Sequence, residues 1–380
     1  MPTPPHLQNT VSQQYIKKDR NSNLELYRII VMLLIVAHHY VVNSGLLGIL
    51  TDAPLTATTV GMVLFGAWGK TGINCFIMIT GWFMCKSSFT WQKFLKLYAQ
   101  IIFYAIIIYG IFCITGHEQF HPITAMLKLF PIKSIASGFT SCFLIFYLLI
   151  PFINILIQHL DKRQHATLLI VLLLIYTVLP TFPAYHLQFN YVTWFSLIYL
   201  IAAYIRYYNG FSGITHKMWG YATILLVLAG SLTVIAMTYG YKLNYIHAFN
   251  PYFFISDSNK ILALAIAISS FMYFKDLKIP HSRFINAVGA TTFGVLLIHA
   301  NSDTMRQWLW KETVDCMGNF GDSLLFTVGY AIVSVLIIFI VCSGIDWFRG
   351  KFIEPHIMKL IENLFSKRQT NTDKIAKAED

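Results

Sequence analysis

Apolar stretches close to or longer than about 18 residues recur from one end of this 380-residue chain to the other, and that is the length a helix needs to cross a bilayer. A chain of this length could hold two or three soluble domains, but its composition argues against them. Only 12% of the residues are charged, 16% are aromatic, and the mean hydropathy is +0.58. The expected fold is therefore an all-α integral membrane protein, read as one polytopic domain with short tails.

Ten spans are expected, at about 24–45, 60–85, 94–115, 140–159, 166–182, 190–208, 219–239, 259–275, 287–309 and 323–347. Residues 1–23 read as a polar tail, 24–348 as the membrane domain, and 349–380 as a basic tail. The first span lacks a small-residue cleavage site and exceeds a signal-peptide core, so it is expected to be retained. With the N-terminus inside, 21 of the 28 Lys and Arg residues fall on the inner side, which places both termini in the cytoplasm. The formal charge of +11 is scattered through loops and tails. It fits this topology and anionic lipid headgroups rather than nucleic acid. Six cysteines show no paired metal spacing and most lie in apolar runs, so they read as small hydrophobes. The outer loop at about 116–139 is amphipathic and suits the membrane surface. No internal repeat of the transporter kind is visible.

Titratable groups inside apolar spans are costly and mark functional interiors. The run "LYRIIVMLLIVAHHYVVNSG" (26–45) carries Arg28, His38 and His39. Eleven helical steps from Arg28 to His39 return to within about 20° of the same face, with an axial separation of about 16 Å. Glu25 lies a turn before Arg28 on nearly the same stripe. His38 points about 80° away and reads equally as a packing histidine or as a substrate contact. A second deep histidine, His299, ends "TTFGVLLIH", with Asn301, Asp303 and Arg306 following toward the outer side. Asp303 and Arg306 are three apart and can pair with each other. Lys70 sits in "FGAWGKTGINCF" between glycines that loosen a helix or admit another backbone. It reads either as a buried cation facing water or a ligand, or as an interfacial lysine. Lys93 and Lys96 share a face at the inner end of the third span, where they suit phosphates and ordinary topology alike.

A histidine can serve as general base toward a hydroxyl. The Gly-rich phosphate loop, the G-x-S-x-G elbow and the HExxH pair are all missing from the sequence. That removes serine-hydrolase and zinc-protease readings, and no metal is expected. The loop "TGHEQFH" (115–121) is not taken as a metal site.

These residues resemble the membrane-bound acyltransferase family 3, bacterial enzymes that acylate surface glycans. The resemblance spans about residues 22–350. "NLELYRIIVMLLIVAHHY" resembles the family's Arg, ten residues, His signature, which falls on Arg28 and His39. "GINCFIMITGWFM" is similar to its Gly-rich second span, with Thr80-Gly81-Trp82 where Ser-Gly-Tyr or Ser-Gly-Phe is usual. "TTFGVLLIH" resembles the late span ending in a histidine, here His299.

The resemblance implies an O-acyltransferase of the bacterial plasma membrane, multi-pass, working in contact with membrane lipid. It would move an acyl group, acetyl first among candidates, from cytoplasmic acyl-CoA to a hydroxyl of a surface carbohydrate or its lipid-linked precursor. Arg28, His39 and His299 become the catalytic candidates, with His39 as general base or transient acyl carrier. Lys70, Glu25, His38, Asn301 and Arg306 become candidates for acceptor contact. Arg28, Lys93 and Lys96 become candidates for the coenzyme phosphates. Two departures stand out. Lys93 and Lys96 occupy the place of the family's Arg-rich element, and lysine lacks the planar fork of arginine. The hydrolase-like outer domain of some members is not expected, leaving direct transfer or hand-off to another protein. The rival class is a secondary transporter or lipid flippase that uses the same buried charges as a relay. An oligomer is compatible with either.

Overall fold

In the computed structural model, residues 20–132, 138–182, 190–211, 213–255, 257–321 and 323–363 are described. Most of both expected tails therefore lies outside the described residues. No strand occurs among them. The order is α1 (Ser22–Val42), α2 (Leu46–Asp52), α3 (Ala57–Phe65), α4 (Gly69–Met84), α5 (Trp91–Ile114), α6 (Pro122–Lys128) and α7 (Phe139–His159). α8 (Lys162–Leu173) runs through a π turn into α9 (Leu179–Thr181), followed by α10 (Tyr191–Tyr208), α11 (His216–Lys242) and α12 (Ile261–Lys275). Last come α13 (Arg283–His299), α14 (Asp303–Gln307), prolonged by π turns to Thr313, and α15 (Leu324–Phe348), which continues helically to residue 363.

Several starts are written into the sequence. Thr90, Asp161, Asn190, Thr215, Ser282 and Ser323 each precede a helix and accept a hydrogen bond from the backbone N–H three residues on. Each satisfies one of the donors a helix start leaves free.

Helical residues fall within all ten expected ranges, but fewer qualify as crossings. Six helices are long and apolar enough to cross a membrane, or seven if a bent pair counts as one span. The 60–85 range is among the six, although its helix is interrupted at Gly66–Trp68. The four ranges outside the six are 166–182, 190–208, 259–275 and 287–309. The 287–309 range is α13 and α14, bent by 97°. α12 has only 15 residues. The chain is an all-α, multi-pass membrane protein.

α1 lies at the centre, packed against α4, α12, α13 and α15, while α10 lies on α4 and α7. α11 is the opposite case. Only 11% of its apolar window is buried, and Tyr221, Ile224, Leu225, Leu228 and Leu232 face outward, as a lipid-facing helix should.

One buried ionic network ties α5 to α15 and its helical continuation. Asp346 Oδ1 accepts hydrogen bonds from Tyr104 Oη (2.8 Å), Gln100 Nε2 (3.1 Å) and Arg349 Nε (2.8 Å). Arg349 continues to Glu354 (2.9 Å), which also pairs with Lys96. A buried carboxylate is tolerated when it is paired and saturated in this way. Gly294 makes the room for it, since a Cβ there would lie 2.1 Å from Asp346 Cγ. Gly294→Val is expected to overpack this junction by about 1–3 kcal/mol and lower the melting temperature in detergent. Gly329, with open space around its Cβ position, is the control. Equal melting of Gly294→Val and Gly329→Ala would refute this packing.

Candidate functional site

α1 and α13 end at the same side of the bundle, and α4 and α10 begin there. Four chain segments therefore deliver polar side chains to one place. His39, in the last turn of α1, presents Nδ1 at 2.9 Å from Nε2 of His299, the last residue of α13. His299 is fully buried, and its Nδ1 lies 2.6 Å from the backbone carbonyl of Val295.

A carbonyl can only accept, so His299 Nδ1 carries the proton and donates it to Val295. In its neutral form His299 then has a bare Nε2, which accepts from His39 Nδ1–H. The tautomer of His39 follows: its Nε2 is left with a free lone pair. His39 lines a cavity of about 450 Å³ together with Lys70, Tyr191, Asn301, Asp303 and Arg306. His299 stands behind His39 and is not part of that lining.

Lys70 Nζ donates to Tyr191 Oη at 2.8 Å, so a cation and a phenol are coupled on the cavity wall. Arg306 pairs with Asp303 at 2.7 Å, the local i, i+3 pairing legible in the sequence, while its buried Nε has no partner. Asn301 bonds the carbonyl of Leu297 (2.9 Å) and keeps its other groups toward the cavity. The bend after His299 is held from outside by Glu118, which accepts a hydrogen bond from Thr304 of α14.

The remaining candidates lie elsewhere. His38 Nδ1 donates to the Gly66 carbonyl at 2.5 Å, and a Cβ on Gly69 would fall 2.3 Å from His38 Cγ. His38 is thus a packing histidine wedged at the α3–α4 break, which only a glycine leaves open, and it does not line the cavity. Arg28 and Glu25 sit near the far end of α1, paired at 3.5 Å, with Glu25 also at 3.2 Å from Arg20. The structure does not bring them to the cavity. Lys93 is exposed and donates to the Ser88 carbonyl (3.1 Å), and Lys96 is taken up by Glu354. Tyr191 escaped the sequence reading because nothing in its spacing ties it to Lys70, 121 residues earlier.

A multi-pass helical protein with a histidine relay opening on a polar cavity has the form of a membrane enzyme rather than of a passive scaffold. The comparison with protein families makes this specific. The family model described as "Acyltransferase domain" matches residues 21–343, and the chain belongs to that family. It is an acyltransferase. No curated protein and no solved structure matches it.

The relay is open to direct measurement. In protein carrying ¹⁵N-histidine and reconstituted in bilayers, both rings are expected to hold their proton on Nδ1. His39→Asn and His299→Asn assign the two signals by their loss. A proton on His39 Nε2 would contradict the relay.

Proposed function

We propose that this enzyme is an O-acyltransferase of the bacterial plasma membrane, with both termini in the cytoplasm. It moves an acyl group, most simply acetyl, from cytoplasmic acyl-CoA to a hydroxyl of a surface carbohydrate or its lipid-linked precursor. The observation that carries this reading is the Val295–His299–His39 relay, which leaves a basic nitrogen beside a polar cavity.

The donor supplies a thioester carbonyl and a leaving thiolate. His39 Nε2 takes the proton of the acceptor hydroxyl as the new C–O bond forms. The C–S bond breaks, and the imidazolium returns that proton to the departing thiolate, so atoms and charge balance. General base work of this kind contributes about 10²–10⁴-fold in rate. His299 acts through His39 as a positioning residue: it fixes the tautomer and accepts from the ring while the positive charge develops. Lys70, held by Tyr191, offers a cation to the carbonyl oxygen on which charge builds up. Asn301 and Arg306 contact the acceptor from the outer rim. The stripe from Arg28 to His39, about 16 Å long, suits an extended donor that enters from one end and reacts at the other.

Purified protein in lipid nanodiscs, given acetyl-labelled acetyl-CoA and a hydroxylated glycan, is expected to release CoA and label the glycan. His39→Ala is expected to lower turnover by about 10²–10⁴-fold, and His299→Leu by less, with little change in acceptor KM. Unchanged turnover in His39→Ala would refute the assigned base. Substrate uptake into vesicles without CoA release would replace the enzyme reading with a transporter.

A further inference from the structure

At the end of the bundle opposite the cavity, α4, α10 and α12 all terminate around the start of α1. Asn23 of α1 donates to the carbonyls of Phe274 and Lys275 at the end of α12 (3.0 and 2.8 Å), and the aromatic face between these ends is Trp82 of α4. Arg206, in the last turn of α10, places Cζ 4.2 Å from the Trp82 ring centroid. Lys275, the last residue of α12, places Nζ 5.5 Å from the same centroid. Arg28 lies 5.9 Å from the ring of the neighbouring Phe83, and Lys86 caps Tyr207 at 5.0 Å on the exposed rim.

Cations are favoured at helix C-termini and on the inner side of membrane proteins. Neither preference explains how these are held. A lysine placed only for topology keeps its head in water, yet the Lys275 side chain is just 11% exposed. Arg206 makes no ion pair among the described residues, and its buried Nε has no hydrogen-bond partner. Carboxylates are scarce here: Asp276 takes Lys275 (2.6 Å), and Glu25 takes Arg28 and Arg20. Cation–π contact is worth about 0.5–2 kcal/mol, and it leaves the buried Nε of this half-buried guanidinium without an acceptor. An oxyanion with several acceptor atoms would satisfy that fork.

We propose that Arg206 and Lys275, set against Trp82 and flanked by Arg28, form a phosphate-binding site that holds the nucleotide phosphates of the acyl donor. This rests on the acyl-CoA reading above and relocates its phosphate end. Lys93 and Lys96, which the sequence suggested for that role, make no recorded contact with this aromatic cluster: Lys93 donates to the Ser88 carbonyl and Lys96 pairs with Glu354. The shared chemistry is a phosphate ester, and a lipid headgroup carries the same group.

The test uses the full chain in phosphatidylcholine nanodiscs. Arg206→Gln is expected to weaken adenosine 3′,5′-bisphosphate binding by about tenfold or more and raise the KM for acetyl-CoA similarly, which is the loss of one charged hydrogen-bonding partner. kcat should change little. Arg206→Lys should recover part of the affinity, and acetyl-pantetheine, lacking the phosphates, should be indifferent to the substitution. Lys275→Gln repeats the test independently should Arg206→Gln fail to fold, and Lys93→Gln is expected to leave KM unchanged. An unchanged KM in both Arg206→Gln and Lys275→Gln, with wild-type turnover intact, would overturn the site alone. An effect of Arg206→Gln confined to nanodiscs containing phosphatidylglycerol would assign it to lipid headgroups. Absence of wild-type CoA release is a separate result and would overturn the acyl-CoA reading itself.

Discussion

The hydrogen bond between His39 and His299 is the contact on which the rest of the site depends. It joins the ends of two helices 260 residues apart in sequence, and it requires α1 and α13 to run to the same depth and stop there. The fold provides this by placing α1 at the centre against α13 and by turning the chain through 97° directly after His299. The Val295 carbonyl then sets one proton, that proton sets the next, and the final lone pair is aimed at the cavity. A bare backbone oxygen does here what a buried carboxylate does in other histidine relays, without adding a net charge inside the membrane, where charge is expensive.

The two ends of the bundle divide the chemistry. One end collects a base, a lysine–tyrosine pair and an arginine around a half-open cavity of mixed polar and apolar lining. The other collects cations on aromatic rings with few acids to neutralise them. Between them lies tightly packed apolar core, including Val31, Ile35, Ile77 and Met78. The cavity lining does not extend to Arg28. Reaction between the two ends therefore calls for a slender donor arm and some parting of that core.

Much of this was legible in the sequence because helical periodicity is local. The step count from Arg28 to His39 separated His39 from His38, and the structure gives the two rings different tasks: His39 faces the cavity while His38 is locked onto the Gly66 carbonyl. The pairing of Asp303 with Arg306 was equally local. Tertiary facts were not legible. Nothing in the chain announces that Tyr191 meets Lys70, that Lys96 pairs with Glu354, or that Arg206 and Lys275 converge on Trp82. The number of crossings was less legible, because an apolar run such as the 15-residue α12 is hydrophobic also for packing against other helices, and six or seven helices meet the length and apolarity of a span.

The claim that the two ends serve one donor is tested most directly by cryo-electron microscopy of the protein in nanodiscs with a non-transferable acyl-CoA analogue. The analogue is expected to lie along α1, with its phosphates beside Arg206 and Lys275 and its acyl carbonyl near His39 Nε2 and Lys70. An analogue lying wholly at one end, or outside the bundle, would contradict it.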